Sequence, residues 1–146
     1  MLFGISSLLF LSCNNATKTT APEKETTHTE HHHNESSDVI ELNNGEKWVV
    51  NEEMKPFILK GAALVSTFIQ ENNTDYKTLA EQIKDQNSQL IRSCTMTGKS
   101  HDELHKWLHP HLDLVQELAE SADEEQAKAQ VSKLEASYQE YHKYFK

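Results

Sequence analysis

Cys94-Thr95-Met96-Thr97-Gly98-Lys99-Ser100-His101-Asp102-Glu103-Leu104-His105-Lys106-Trp107-Leu108-His109-Pro110-His111 is the stretch whose reading decides the fold. Its polar start around Gly98 interrupts two periodic apolar runs, which predicts the corner between two helices. The same stretch concentrates donor atoms. It holds the only cysteine after residue 13, the methionine Met96, and four of the chain's nine histidines. Thiol, thioether and imidazole are the side chains that bind soft and borderline metal ions.

Working outward, Ser100-His-Asp-Glu103 has the pattern of a capping box that opens a third helix running to about Ala119. At about 100° per residue, His101 and His105 fall within the stripe of Leu104, Leu108, Leu112 and Val115. His109 lies at the margin of that stripe, and His111 returns to it beyond Pro110, where a local kink is expected. Before the corner, a second helix runs from about Asp75 to Cys94, capped by Thr74, with Tyr76, Leu79, Ile83, Leu90 and Cys94 on one face. Asn72-Asn73 turns the chain ahead of it. The first helix covers about Glu52 to Glu71, with Phe57, Ile58, Gly61, Leu64, Val65 and Phe68 at three–four spacing. Pro56 predicts a late start or a bend there. A second box, Ser121-Ala-Asp-Glu124, opens a fourth helix whose Ala127, Val131, Leu134, Tyr138, Tyr141 and Phe145 follow the alternating spacing of a bundle seam. At the other end, Val39–Leu42 and Lys47–Val50 flank Asn44-Gly45, the favoured pair for a type I′ turn. This predicts a short hairpin with Trp48 as its contact to the helices. Short connections make successive helices antiparallel neighbours. The expectation for residues 39–146 is therefore an all-α fold, an antiparallel up-down four-helix bundle preceded by a short β-hairpin.

In that order, the starts of the first and third helices share a pole with the ends of the second and fourth. Met54, Cys94, Met96, His101 and His142 gather there. His101 and His105, one turn apart, can clasp one ion, and Cys94 is within reach of His101 across a short turn. The expected cofactor is copper(I), with sulfur from Cys94 and Met96 or Met54 and nitrogen from His101 or His105. Zinc is the alternative, held by Cys94, His101, His105 and a carboxylate such as Asp102. The methionines favour copper, because zinc has little use for a thioether. His109 and His111 are expected as surface or supporting groups, and His142 as solvent-facing; all three are auxiliary candidates. The plainer reading of a lone Cys or Met on a helix face is core filling.

The remaining chain suggests where such a domain would work. A net charge of −9 argues against nucleic acid, which demands clustered Lys and Arg. Residues 13–38 are Thr-, Glu- and Asn-rich with few large apolar side chains, the composition of a linker. His28, His31, His32 and His33 within it suggest a weak metal-collecting arm. Residues 1–12 are apolar and uncharged, and end in Leu9-Phe10-Leu11-Ser12-Cys13. This resembles the lipobox of bacterial lipoproteins, with Phe10 where the family carries a small aliphatic residue. The resemblance implies a signal peptide over 1–12, lipidation of Cys13, and a periplasm-facing domain tethered to a membrane of the bacterial envelope. In outline the chain also resembles small envelope metal-binding proteins of heavy-metal resistance systems. That implies capture, buffering or handover to an efflux or transfer partner.

Other chemistries fit less well. His101-Asp102-Glu103-Leu104-His105 departs from the zinc-protease motif, because Asp102 stands at the position of the general-base Glu. No Cys-x-x-Cys-His is present for covalent haem. Met54 and His142 resemble, by position alone, the axial pair of four-helix b-type cytochromes, which leaves non-covalent haem b as one alternative. A nucleophile elbow is absent. The chain is therefore expected not to be an enzyme. A metal-free interaction module of the envelope is the other alternative.

Overall fold

A computed structural model describes residues 39–146. The expectations for the signal peptide, Cys13, the linker and its histidines at 28, 31, 32 and 33 lie outside the described residues. Four helices follow in order: α1 (Lys55–Gln70), α2 (Tyr76–Arg92), α3 (Lys99–Ala119) and α4 (Glu124–Tyr144).

Helix α1 begins late, as Pro56 requires. The proline stands in the first turn, where its missing N–H has no intrahelical acceptor to lose. Ile58, Gly61, Val65 and Phe68 form its buried face. It ends in a Schellman motif: Asn72 takes the left-handed conformation (φ 51°), Asn73 N–H donates to the Phe68 carbonyl, and Asn72 N–H donates to that of Ile69. Helix α2 then starts at a true side-chain cap. This is Asp75, one residue beyond the expected Thr74, whose carboxylate accepts from Thr78 N–H at 3.1 Å.

The start of α3 corrects the sequence reading. Its N-cap is Gly98, at φ 66°, and no side chain caps it. Ser100 lies inside the first turn, and its hydroxyl donates back to the Thr97 carbonyl. Glu103 does not reach back to form a box. Its side chain is turned inward and bonded elsewhere. Helix α3 continues through Pro110 as one element and buries Glu103, Leu104, Trp107, Leu108, His111, Val115 and Leu118. The second box is also displaced. Asp123 caps α4 by accepting from Gln126 N–H at 2.9 Å, while the Gln126 side-chain amide oxygen accepts from Ala122 N–H. Ser121 instead donates to the Glu117 carbonyl at the close of α3. The α4 seam is as expected, with Ala127, Val131, Leu134, Tyr138, Tyr141 and Phe145 all buried.

All four helices pack against one another, α1 against α2 and α4, and α3 against α2 and α4. Segment 39–54 ties one pole together. Asn51 donates to the Ser93 carbonyl and accepts from Thr95 N–H, joining the approach to α1 to the end of α2. Glu41 N–H donates to Glu103, and the Trp48 indole donates to the Glu41 carbonyl. The start of α3 is thereby linked to the residues that meet the end of α4.

The expected hairpin is reduced to its turn. Asn43 and Glu46 exchange both backbone bonds around Asn44 (φ 53°) and Gly45 (φ 89°), as a type I′ turn requires. No strand forms on either side among the described residues. Trp48 pairs in parallel with Phe145 instead: Trp48 N–H donates to the Tyr144 carbonyl, Lys146 N–H to that of Trp48, and Val50 N–H to that of Lys146. Two isolated strands are marginal in water. The backbone just past α4 offers unpaired groups beside a core that buries Ile40, Trp48 and Val50.

Candidate metal centre

The pole holds the expected donors in unequal settings. Cys94 is a free, half-buried thiol, and it packs against the core together with the half-buried Met96. Met54 has no exposed surface and is a core side chain, the plain role of a thioether on a helix face. His142 is exposed on α4 and meets the Tyr141 ring edge-on at 5.4 Å. The thioether and imidazole that non-covalent haem would use therefore stand in different environments, one sealed and one solvated.

The histidines of α3 are the most organised part. At successive i, i+4 positions, His101 and His105 are half-buried and His109 is exposed. Their rings follow one another along the helix in a ladder, each tilted against the next (57° and 51°), with centroids 4.3 Å apart for His101–His105 and 4.9 Å for His105–His109. Helix geometry permits this, since residues four apart lie on one flank. The Nδ1 atom of His105 and the Nε2 atom of His109 approach to 3.1 Å, so a neutral pair shares one hydrogen bond between them. Partial burial holds the His105 imidazole below its ordinary pKa. The neighbouring His101 and His109 act in the same direction, and Asp102 opposes them. Among the described residues, no three His, Cys, Asp or Glu side chains converge as a ready-made ion cage. Cys94, His101 and His105 share the pole without closing into one ligand set. The direct convergence is the His105–His109 pair, with the tilted ring of His101 behind it.

His111 differs most from its expected surface or supporting role, although its place on the wheel was right. The side chain has no exposed surface. Its ring lies flat on Trp107 at 4.7 Å and meets the Tyr138 ring edge-on at the same distance. Nδ1 contacts the Ser137 hydroxyl at 3.0 Å, while Nε2 has no hydrogen-bond partner. Burial pushes its pKa down to about 4, so it stays neutral at physiological pH. It is a core histidine.

Glu103 is the residue that sequence reasoning misplaced. Its buried carboxylate accepts from Glu41 N–H at 2.8 Å and pairs with the Lys106 ammonium at 2.9 Å. Lys106 also donates to the Val39 carbonyl. The available signal was the spacing Glu103, Trp107, His111, which puts an acid on the buried face of α3. Exposed large apolar side chains are spread over separate elements, with Leu59 and Ile69 on α1, Ile91 on α2, and Val39, Leu42 and Val49 in the first segment. Such scattering is ordinary for a protein surface. No helix among the described residues is long and apolar enough to cross a membrane. No protein-family model matches this chain, and neither a curated protein nor a solved structure does.

Proposed function

We propose that this chain is a non-enzymatic, lipid-anchored protein of the bacterial envelope. It captures a transition-metal ion at the pole where α2 ends and α3 begins. The observation that carries this reading is the imidazole ladder of His101, His105 and His109 on the helix that follows the half-buried free thiol of Cys94. A free thiol facing an oxidising compartment is vulnerable, and a bound soft ion would protect it. Copper(I) is the ion that sulfur from Cys94 and Met96, with nitrogen from His101, would select, and zinc is its competitor. Met54 serves the core and drops to a supporting part. The lipobox-like Leu11-Ser12-Cys13 supports tethering to the membrane, and the role would be capture, buffering or handover to an efflux or transfer partner.

The test is titration of the full chain with copper(I) against a competing chelator, with zinc alongside. The four linker histidines at 28, 31, 32 and 33 are replaced by asparagine so that only the pole is read. One copper equivalent, weakened at least tenfold in both Cys94→Ser and His101→Ala, is the expected result. Equal affinity in the parent and both variants would remove the pole from the account.

A further inference from the structure

The contact between His105 and His109 is already close to the geometry of an ion-binding pair. Transition-metal ions sit about 2.0–2.1 Å from imidazole nitrogen. An ion at that distance from both atoms spans their 3.1 Å separation with an angle at the metal of roughly 95–100°. This falls between the right angle of square-planar or octahedral coordination and the tetrahedral angle. The ion takes the place of the proton held between the two nitrogens, and each ring turns by roughly 40° to aim its lone pair at it. That proton moves through solvent to the other nitrogen of the ring that carried it, so both imidazoles stay neutral and each presents a lone pair.

We infer that His105 Nδ1 and His109 Nε2 form a two-nitrogen site for a borderline divalent ion (zinc, nickel or copper(II)) on the outer flank of α3. This inference rests on the reading of the pole as a metal-capture site and adds a second ion class to it, bound by imidazole alone. Three features favour the pair. The tilted ring of His101, 4.3 Å away, limits the ring positions open to His105. His109 is exposed, so the ion has an open approach and free positions for water or a receiving protein. His105 and His109 stand one turn apart on α3, so the helix itself holds the two nitrogens on one flank. Sulfur is absent from the pair, so the choice falls to ions that imidazole suits, not to copper(I).

The experiment uses the full chain with the linker histidines replaced as above. Zinc affinity is measured by chelator competition, and copper(II) binding by electron paramagnetic resonance. His105→Ala, His109→Ala and Cys94→Ser are compared with this parent, and circular dichroism checks that each is folded. The expected result is one zinc equivalent, weakened at least tenfold by either histidine variant and by less than twofold in Cys94→Ser. Copper(II) should show two nitrogen donors in the parent and one in His109→Ala. Zinc binding unaffected by His109→Ala would overturn the pair and leave the metal-capture reading standing. Zinc lost equally in Cys94→Ser would also overturn it, by merging the pair with the sulfur corner. Failure of both zinc and copper(I) to bind the parent would sink this inference and the function it rests on.

Discussion

Replacing His111 with phenylalanine should remove most of one sharply defined pH dependence of folding. In the folded chain the imidazole is held neutral by burial, with a pKa pushed down to about 4 from 6.5. As pH falls through the unfolded value, the unfolded chain takes up a proton that the folded chain refuses. The unfolded state then binds more protons, so stability rises with pH across this window. The full contribution is present above about pH 6.5 and is lost progressively between that value and about pH 4. The gap bounds the loss at about 3 kcal/mol, of which about 2 kcal/mol has gone by pH 5. Phenylalanine keeps a ring between Trp107 and Tyr138, and it deletes both the titration and the unpartnered Nε2. It also takes a partner from the Ser137 hydroxyl, so the absolute stability of the variant at neutral pH is not the readout. The assay is urea unfolding of both proteins at pH 7.5 and pH 5 with chelator present. The parent should lose about 2 kcal/mol more than the variant between these conditions. Equal losses would refute the reasoning, since His111 would then have to charge within the fold or already be wet.

Two further substitutions probe how the fold is tied together. Glu103→Ala should destabilise by about 3 kcal/mol in denaturant unfolding, because it leaves the Lys106 ammonium and Glu41 N–H without their shared acceptor. Glu103→Gln keeps an acceptor oxygen and should lose clearly less; equal loss in both would mean that the carboxylate only fills space. Gly61→Ala should cost about 1–3 kcal/mol, because the added Cβ would collide with the Tyr138 hydroxyl. Tyr138→Phe should partly rescue it in a double-mutant cycle, and strict additivity would show that the two sites do not meet.

Much of the helical layout was legible because it depends on local chemistry. The α4 seam from Ala127 to Phe145, the turn at Asn72-Asn73 and the left-handed pair Asn44-Gly45 are each fixed by neighbours a few residues away. The misreadings share a different cause. Ser100 and Glu103 match a capping box in spacing, but Gly98 starts α3 earlier and Glu103 is drawn to Glu41, a partner 62 residues distant. The strands flanking Asn44-Gly45 had suitable side chains, yet Trp48 found better backbone partners past α4. Such competition cannot be seen within a window of one element. At the candidate site, the helical wheel put His101 and His105 on one flank and returned His111 to the core stripe. What it could not show was the closeness of His105 to His109, since that depends on ring orientation and not on helical phase.

The parallel contact between residues 48–50 and 144–146 also sets how the domain would carry load. Tension arriving from residues before Val39 first reaches Val39 and Glu41, held by Lys106 and Glu103, and then the backbone bonds of Trp48 and Val50. Parallel bonds are evenly spaced along the chain. A pull directed along the segment would load the bonds joining Trp48 to Tyr144 and Lys146, and Val50 to Lys146, in shear, whereas a pull across it would open them one at a time. The end of α4 takes up the force through the buried ring of Phe145, which lies on Tyr141. A domain hung from its N-terminal side would thus bear load at the edge where α4 ends, with the bonds of Asn51 to Ser93 and Thr95 as the next hold.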